Sequence, residues 1–421
     1  MKQLSRYAAL LAMAFLLLGG SVPAMAQILV QCPGDLNGDS IPDPFLLLPN
    51  GKPSNKPNPE YDPGVKCMHL SAGDGYISMA DGRSMYMFGF GDVTGIPEDR
   101  VMEEGMMSAA FPAPTIVLDE GDRFYLNLTN VGMMMRPDLF DPHTVHWHGF
   151  PQASSVFDGV PDASISINMG ATLTYFYHVV EPGTYMYHCH VEATEHMQMG
   201  MLGNLYVRPA QNRLPAGQDL NGFIHQAGYT YAYNDGDGST YYDVEYPIQI
   251  GSFDSAFHDA SESVNPLPFA LMRDDYPMLN GRGYPDTIVP GSLTPPMENM
   301  GRVSQPVSSL IEASQGQKIL LRVSNLNVTR FYTLASLGIP MKVVGYNARL
   351  LRGPSPDGIT PGKDLYYTTH SVTLGGGEAL DVILDTADVD PGTYFLYTTN
   401  LNYLSNDDDP FGGMMTEIRI Q

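Results

Sequence analysis

Histidine is scarce in this chain, eleven in 421 residues, yet six of the eleven fall in two short clusters. The first reads His143-Thr-Val-His146-Trp-His148-Gly149. The second, about forty residues on, reads His188-Cys189-His190 and continues to His196 and Met201. Any fold of this chain has to bring the two segments together, because neither holds a complete ligand set. One thiolate, two imidazoles and a weak thioether make a soft donor set that suits a blue, type 1 copper. His143, Cys189, His196 and Met201 are therefore assigned to one copper. If His188-Cys189-His190 runs as a strand, its side chains alternate, so Cys189 faces that copper while His188 and His190 face the other way together. His146 and His148 share a face for the same reason. Two His-x-His pairs beside a type 1 centre look like half of a polynuclear copper site.

The rest of the chain reads as β structure. Gly (43) and Pro (34) are plentiful, and short alternating runs bounded by Gly, Pro or Asp recur, as in Thr115 to Leu118, Phe124 to Leu128 and Ile319 to Val323. The length allows two to three domains with sizeable cores. An internal repeat sets the organisation: Glu181-Pro-Gly-Thr-Tyr185 returns as Asp390-Pro-Gly-Thr-Tyr394, and Leu118-Asp-Glu-Gly-Asp122 is echoed by Ala313-Ser-Gln-Gly-Gln317. Aligned on the first repeat, His188, Cys189 and His190 fall opposite Tyr397, Thr398 and Thr399, and His196 and Met201 fall opposite Ser405 and Pro410. The second copy has no copper ligands.

These motifs resemble the multicopper oxidases. In that family an HxxHxH segment gives a type 1, a type 2 and a type 3 copper ligand in turn, and an HCH segment gives type 3, type 1 and type 3. The resemblance covers most of residues 83 to 421. It implies two tandem cupredoxin-like Greek-key β-sandwich domains, all-β, preceded by a signal peptide and a loop-rich N-terminal extension. The expected boundaries are 1–26 for the signal peptide, 27–82 for the extension, 83–210 for the copper-binding domain and 211–421 for a copper-free domain. Two departures stand out. Cys189 and His196 are seven residues apart, where most three-domain members have five. The trinuclear cluster of the family takes four His-x-His pairs, and this chain supplies two. An isologous contact of two first domains would bring four pairs together, so an oxidase of this kind is expected to be a homo-oligomer.

The first twenty-six residues read as an export signal: Lys2 and Arg6, an apolar run from Ala8 to Leu18, and Ala24-Met25-Ala26 as the cleavage site. That run is too short to span a membrane securely, and the expected destination is the periplasm or the exterior. There Cys32 and Cys67 are a candidate disulfide. The formal net charge of −24 argues against nucleic acid and anionic membranes as partners. Asp35, Asn37, Asp39 and Asp43 are spaced like the first ligands of a calcium loop, which makes calcium a second candidate cofactor, although Leu46 stands where such a loop would end in Glu. Methionines such as Met133-Met134-Met135, Met197 and Met199 could gather cuprous ions, although packing accounts for most of them. Asp158 lies where a similar segment of the oxidases carries a proton-delivering acid, so it is the candidate catalytic residue.

The leading expectation is an exported copper oxidoreductase passing electrons from a small-molecule, metal-ion or protein reductant through type 1 copper to a type 2/type 3-like site and on to oxygen. A blue-copper electron carrier is the alternative. A copper nitrite reductase fits less well, since His146 stands where that family has Asp and no histidine lies between Asn400 and Met415.

Overall fold

The computed structural model describes residues 30–151, 153–263, 266–358 and 360–421. The expected signal peptide lies outside them. The alternating runs form strands, and the strands sort into two sandwiches whose paired sheets bury separate apolar cores.

In the first sandwich one sheet holds β1 (Val65–Ser78), β2 (Ser84–Asp92), β4 (Arg123–Gly132) and β6 (Thr172–His178), in the order β2-β1-β4-β6. The facing sheet holds β3 (Ala113–Asp119), β5 (His146–His148), β7 (Gly183–His188) and β8 (Leu202–Arg208), in the order β3-β8-β7-β5. This corrects the loop-rich extension expected through residue 82. β1 is an interior strand, parallel to β4 along most of its length. From residue 69 to 77 it is buried on both faces, so it lacks the alternation that marks a half-buried strand.

The second sandwich repeats the plan. Its larger sheet runs β10 (Tyr276–Leu279), β9 (Val244–Phe253), β12 (Lys318–Asn325), β18 (Glu378–Asp385), β14 (Met341–Tyr346) and β15 (Arg349–Leu350), with β16 (Tyr367–Thr369) also on β14. The other runs β11 (Ile311–Ala313), β20 (Met415–Ile420), β19 (Gly392–Thr398), β13 (Tyr332–Leu337) and β17 (Ser371–Leu374). The parallel pairs β1·β4 and β3·β8 of the first sandwich recur as β9·β12 and β11·β20.

A third apolar cluster joins the two, with Phe111, Met186 and Leu202 packed against Phe253, Met278 and Ala379. Beside it lies a buried polar lock. The Arg322 side chain is fully buried, with Nε 2.9 Å from Glu245 and Nη1 3.3 Å from Asp381. Its Nη1 also donates to the Thr184 hydroxyl on β7 at 3.1 Å. The strand that leads into His188-Cys189-His190 is thus pinned to the second sandwich by a paired charge. Cys32 and Cys67 are joined as a disulfide, tying the N-terminal segment to β1.

Candidate metal centre

Cys189 follows the last residue of β7, and its amide donates to the Met201 carbonyl at the head of β8, 3.1 Å away. His143 lies ahead of β5 and pairs through both backbone groups with Ile167. The strand itself covers only His146–His148, so His143 reaches the site from the segment before it. His196 sits on a short helix, α1 (Ala193–Gln198), between the cysteine and Met201. The three segments converge. Cys189 Sγ lies 3.2 Å from His196 Nδ1 and 3.8 Å from His143 Nδ1, with all three side chains fully buried.

This donor set fits a soft metal ion. Burial pushes the Cys189 thiol up to about 11. It also depresses His196 to about 4 and His143 well below its usual range, so both imidazoles are neutral and able to donate a lone pair. A neutral thiol in a dry pocket is deprotonated on binding a thiophilic cation. The Thr144 amide points at Sγ from 3.5 Å, a contact of the kind that tunes potential at a thiolate-bound copper. Met201 is fully buried in the same cluster.

The second group lies on the other side of the same strands. Within β5, Trp147 turns into the core while His146 and His148 turn out of it. His146 is the direct neighbour of His188 across the β5·β7 pair. His146, His148 and His188 each offer a nitrogen within 4.8 Å of the others. His190 joins them, its ring centroid 5.1 Å from that of His146 and 5.6 Å from that of His188. Two rings are oriented by backbone carbonyls. His146 Nδ1–H donates to Asp158 O at 2.6 Å and His188 Nδ1–H to Cys189 O at 2.8 Å. Both bonds leave Nε2 free to take a metal. The loop bearing Asp158 comes this close because residue 159 is glycine: a Cβ there would meet Val145 O at 2.2 Å.

The quartet opens into a cavity of about 520 Å³ whose opposite wall belongs to the chain's own second sandwich, at Leu326 to Phe331 and Gly376-Gly377. A Cβ on Gly377, whose φ is +89°, would stand 2.6 Å from His148 Nε2. This wall brings Asn327, Thr329 and Arg330 to the cavity and no imidazole among the described residues. No motif announces these residues. The segment follows β12 as the His143-bearing segment follows β4, but it is shorter and has no histidine.

Other candidates stand apart. Asp158 does not line the cavity; its carboxylate is 3.5 Å from His146 Nδ1. Asp35 accepts from the amides of Asn37, Gly38 and Ser40, Asp39 from that of Ile41, and Asp43 from that of Leu36. Among the described residues, three-donor groups of His, Cys, Asp or Glu form at the two histidine sites and not in this loop. Met133 and Met199 are buried, whereas Met134 and Met135 are half exposed.

Residues 96–212 match the family model of a multicopper oxidase. The chain is 35% identical over 120 residues to the multicopper oxidase MCE of Talaromyces pinophilus, covering 28% of this chain and 18% of that protein. Laccase-1 of Cryptococcus neoformans var. grubii is 22% identical over 331 residues, which is 75% of this chain and 44% of that enzyme. The chain thus spans less than half the length of the curated relatives it matches. Among solved structures, the blue copper oxidase from Nitrosomonas europaea has the same fold, with a TM-score of 0.58 and 24% identity over 85% of this chain and 86% of that one. The copper nitrite reductase from Nitrosomonas europaea matches with a TM-score of 0.52 and 15% identity, over 85% and 94% of the two chains.

Proposed function

We propose, for a chain whose residues 96–212 match the family model of a multicopper oxidase, that it is an exported copper-dependent oxidoreductase working between a one-electron reductant and oxygen. One observation carries this reading: Cys189, with its Sγ in the buried donor set, is covalently flanked by two histidines of the cavity quartet. His143, Cys189, His196 and Met201 hold the entry site. His146, His148, His188 and His190 hold the site where the acceptor reacts. Copper, when bound at both, supplies the one-electron changes that join a reductant to oxygen. The protein contributes geometry. The buried pocket keeps water from the thiolate, and the carbonyls of Asp158 and Cys189 hold two imidazoles with Nε2 forward. An electron leaving the Cys189 sulfur crosses only its own backbone to reach His188 or His190. Small metal ions, phenols or a redox protein suit the reductant side, and the acidic surface favours cationic donors.

A second reading, an electron carrier, is favoured by one fact: among the described residues the second sandwich adds no imidazole to the cavity. Copper content and oxygen uptake separate the two. The oxidase holds more than one copper per chain, and His148→Ala with His190→Ala keeps its blue absorption while abolishing oxygen consumption. A single copper, with electron transfer indifferent to those changes, is the result expected of a carrier.

A further inference from the structure

The histidine cavity needs protons as well as electrons, since each oxygen reduced to two waters consumes four of both. Little on the second-sandwich wall can supply them. Asn327 has an amide that does not ionise, Arg330 holds its proton and donates it to the Tyr403 hydroxyl at 2.6 Å, and the remaining wall residues are apolar or glycine. Thr329 is the exception, because a hydroxyl can accept one proton and release another.

Behind that hydroxyl stands a carboxylate that the rest of the site does not use. Asp274 is 7% exposed. Its Oδ2 accepts from Thr329, from Ser252 at 2.5 Å and from Tyr332 at 3.2 Å. Its Oδ1 has no hydrogen-bond partner. On its far side Asp274 borders a second, polar pocket of about 600 Å³ that contains Arg273, Asp275, Asp407 and Asp408 and shares Arg330 with the first. Asp274 therefore borders a polar, acidic pocket and is bonded to a hydroxyl-bearing residue that lines the histidine cavity.

We propose that Asp274 and Thr329 form a proton relay into the histidine cavity. The inference rests on the oxygen-reducing role given above. The Asp274 carboxyl takes a proton from water in the outer pocket that it borders. Turned so that the protonated oxygen meets Thr329, it passes that proton to the Thr329 oxygen as the Thr329 hydroxyl releases its own to the reduced oxygen species, and Asp274 is then reprotonated from the outer pocket. The electrons come from the reductant through Cys189. The charged and titratable groups around Asp274 are Arg273, Asp275, Arg330, Tyr332, Asp407 and Asp408. Asp158, placed behind His146, keeps a positioning role.

The test compares Asp274→Asn, Asp274→Glu, Thr329→Val and Thr329→Ser in the copper-loaded protein. Reduced protein is mixed with oxygen and the blue band is followed as it returns, in water and in deuterium oxide. Asp274→Asn and Thr329→Val are expected to slow this return by roughly a hundredfold, with a larger solvent isotope effect. Reduction of the blue centre and copper content stay as in the wild type. Thr329→Ser and Asp274→Glu restore much of the rate. A readout independent of copper is the infrared carboxylate band that Asp274→Asn removes from the metal-free protein, which Thr329→Val shifts if the two side chains are bonded. Wild-type reoxidation rates in both disabling variants overturn the relay and leave the oxidase standing. So do a Thr329→Ser variant as slow as Thr329→Val and an unmoved infrared band. Wild-type protein that takes up no oxygen sinks the oxidase and the relay together.

Discussion

Set side by side, the two sandwiches show how little of this fold depends on metal. β7 and β19 start from the same Pro-Gly-Thr-Tyr turn, and in each the tyrosine hydroxyl returns four residues to a backbone carbonyl: Tyr185 to Glu181 at 3.1 Å and Tyr394 to Asp390 at 2.9 Å. Each strand then pairs with the strand that carries, or fails to carry, the donors. In the first, His146 lies across from His188 and His148 across from Met186. In the second, Ala335 lies across from Tyr397 and Leu337 across from Phe395. Sheet order, parallel pairs and corner tyrosine survive with no imidazole at the donor positions. The frame comes from apolar cores and backbone pairing, and the chemistry was placed on one copy of it.

The largest effect should come from making the first copy resemble the second at the donor positions alone. His146→Ala with His148→Leu installs the residues that stand in the second sandwich. Oxygen consumption is expected to fall to background while the blue absorption persists, and the unfolding free energy should move by only about 1 kcal/mol. Loss of the blue band as well would mean that the quartet helps to shape the Cys189 pocket and that the two groups are one site.

The convergence of His143, Cys189 and His196 was legible in the sequence because a copper ligand set restricts both residue type and spacing, and Cys189 lies 3.8 Å and 3.2 Å from the two imidazoles. The repeat was legible because the corner tyrosine and its turn need particular residues in both copies. What stands opposite the quartet was not. Leu326 to Phe331 is well over a hundred residues from His190, and its side chains carry no motif. Its place follows from how β12 and β18 dock on β7 through Arg322, Thr184 and Asp381. β1 was hidden for a different reason, since a strand buried on both faces and rich in glycine shows no period of two.

Acid should separate the sandwiches next. The first keeps several imidazoles neutral by burial, His188 at about 3, His196 and His69 at about 4 and His143 lower than usual. Once unfolded they take up protons near pH 6.5. Folded, they do not until the pH is far lower, so their contribution is intact above about pH 6.5 and is lost as the pH falls towards about 4 to 3. Each imidazole removes up to about 1.4 kcal/mol per pH unit in that window. Metal-free protein titrated downwards and followed by amide exchange should open first around β5 and β7. Simultaneous opening of both sandwiches would show that the interface, rather than either core, sets cooperativity.

That interface is tested by Arg322→Met, which leaves Asp381 buried without its cation. A loss of roughly 3–5 kcal/mol is expected in denaturant unfolding. Restoring most of it with Asp381→Leu in the same chain would show that the cost lies in the stranded charge. If stability is recovered but oxygen turnover is not, the lock also holds the cavity wall at its working distance from His148.

The smallest effect is the most direct comparison of the two copies. Tyr185→Phe and Tyr394→Phe each delete one hydroxyl bonded to a carbonyl four residues back, in the same turn of the same motif. A hydrogen bond of this kind contributes about 1 kcal/mol, and removing the donor costs more where the acceptor is left away from water. Tyr185 is 2% exposed and packs in the core of the first sandwich, whereas the Tyr394 bond is open to solvent. Tyr185→Phe should therefore cost about 1.5 kcal/mol and Tyr394→Phe about 0.5 kcal/mol, read from denaturation midpoints at constant slope. Equal losses would mean that the corner acts through local turn geometry. The expected inequality would mean that the first copy, which must hold Cys189 and two histidines just beyond the same strand, relies more on its corner than the copy that holds none.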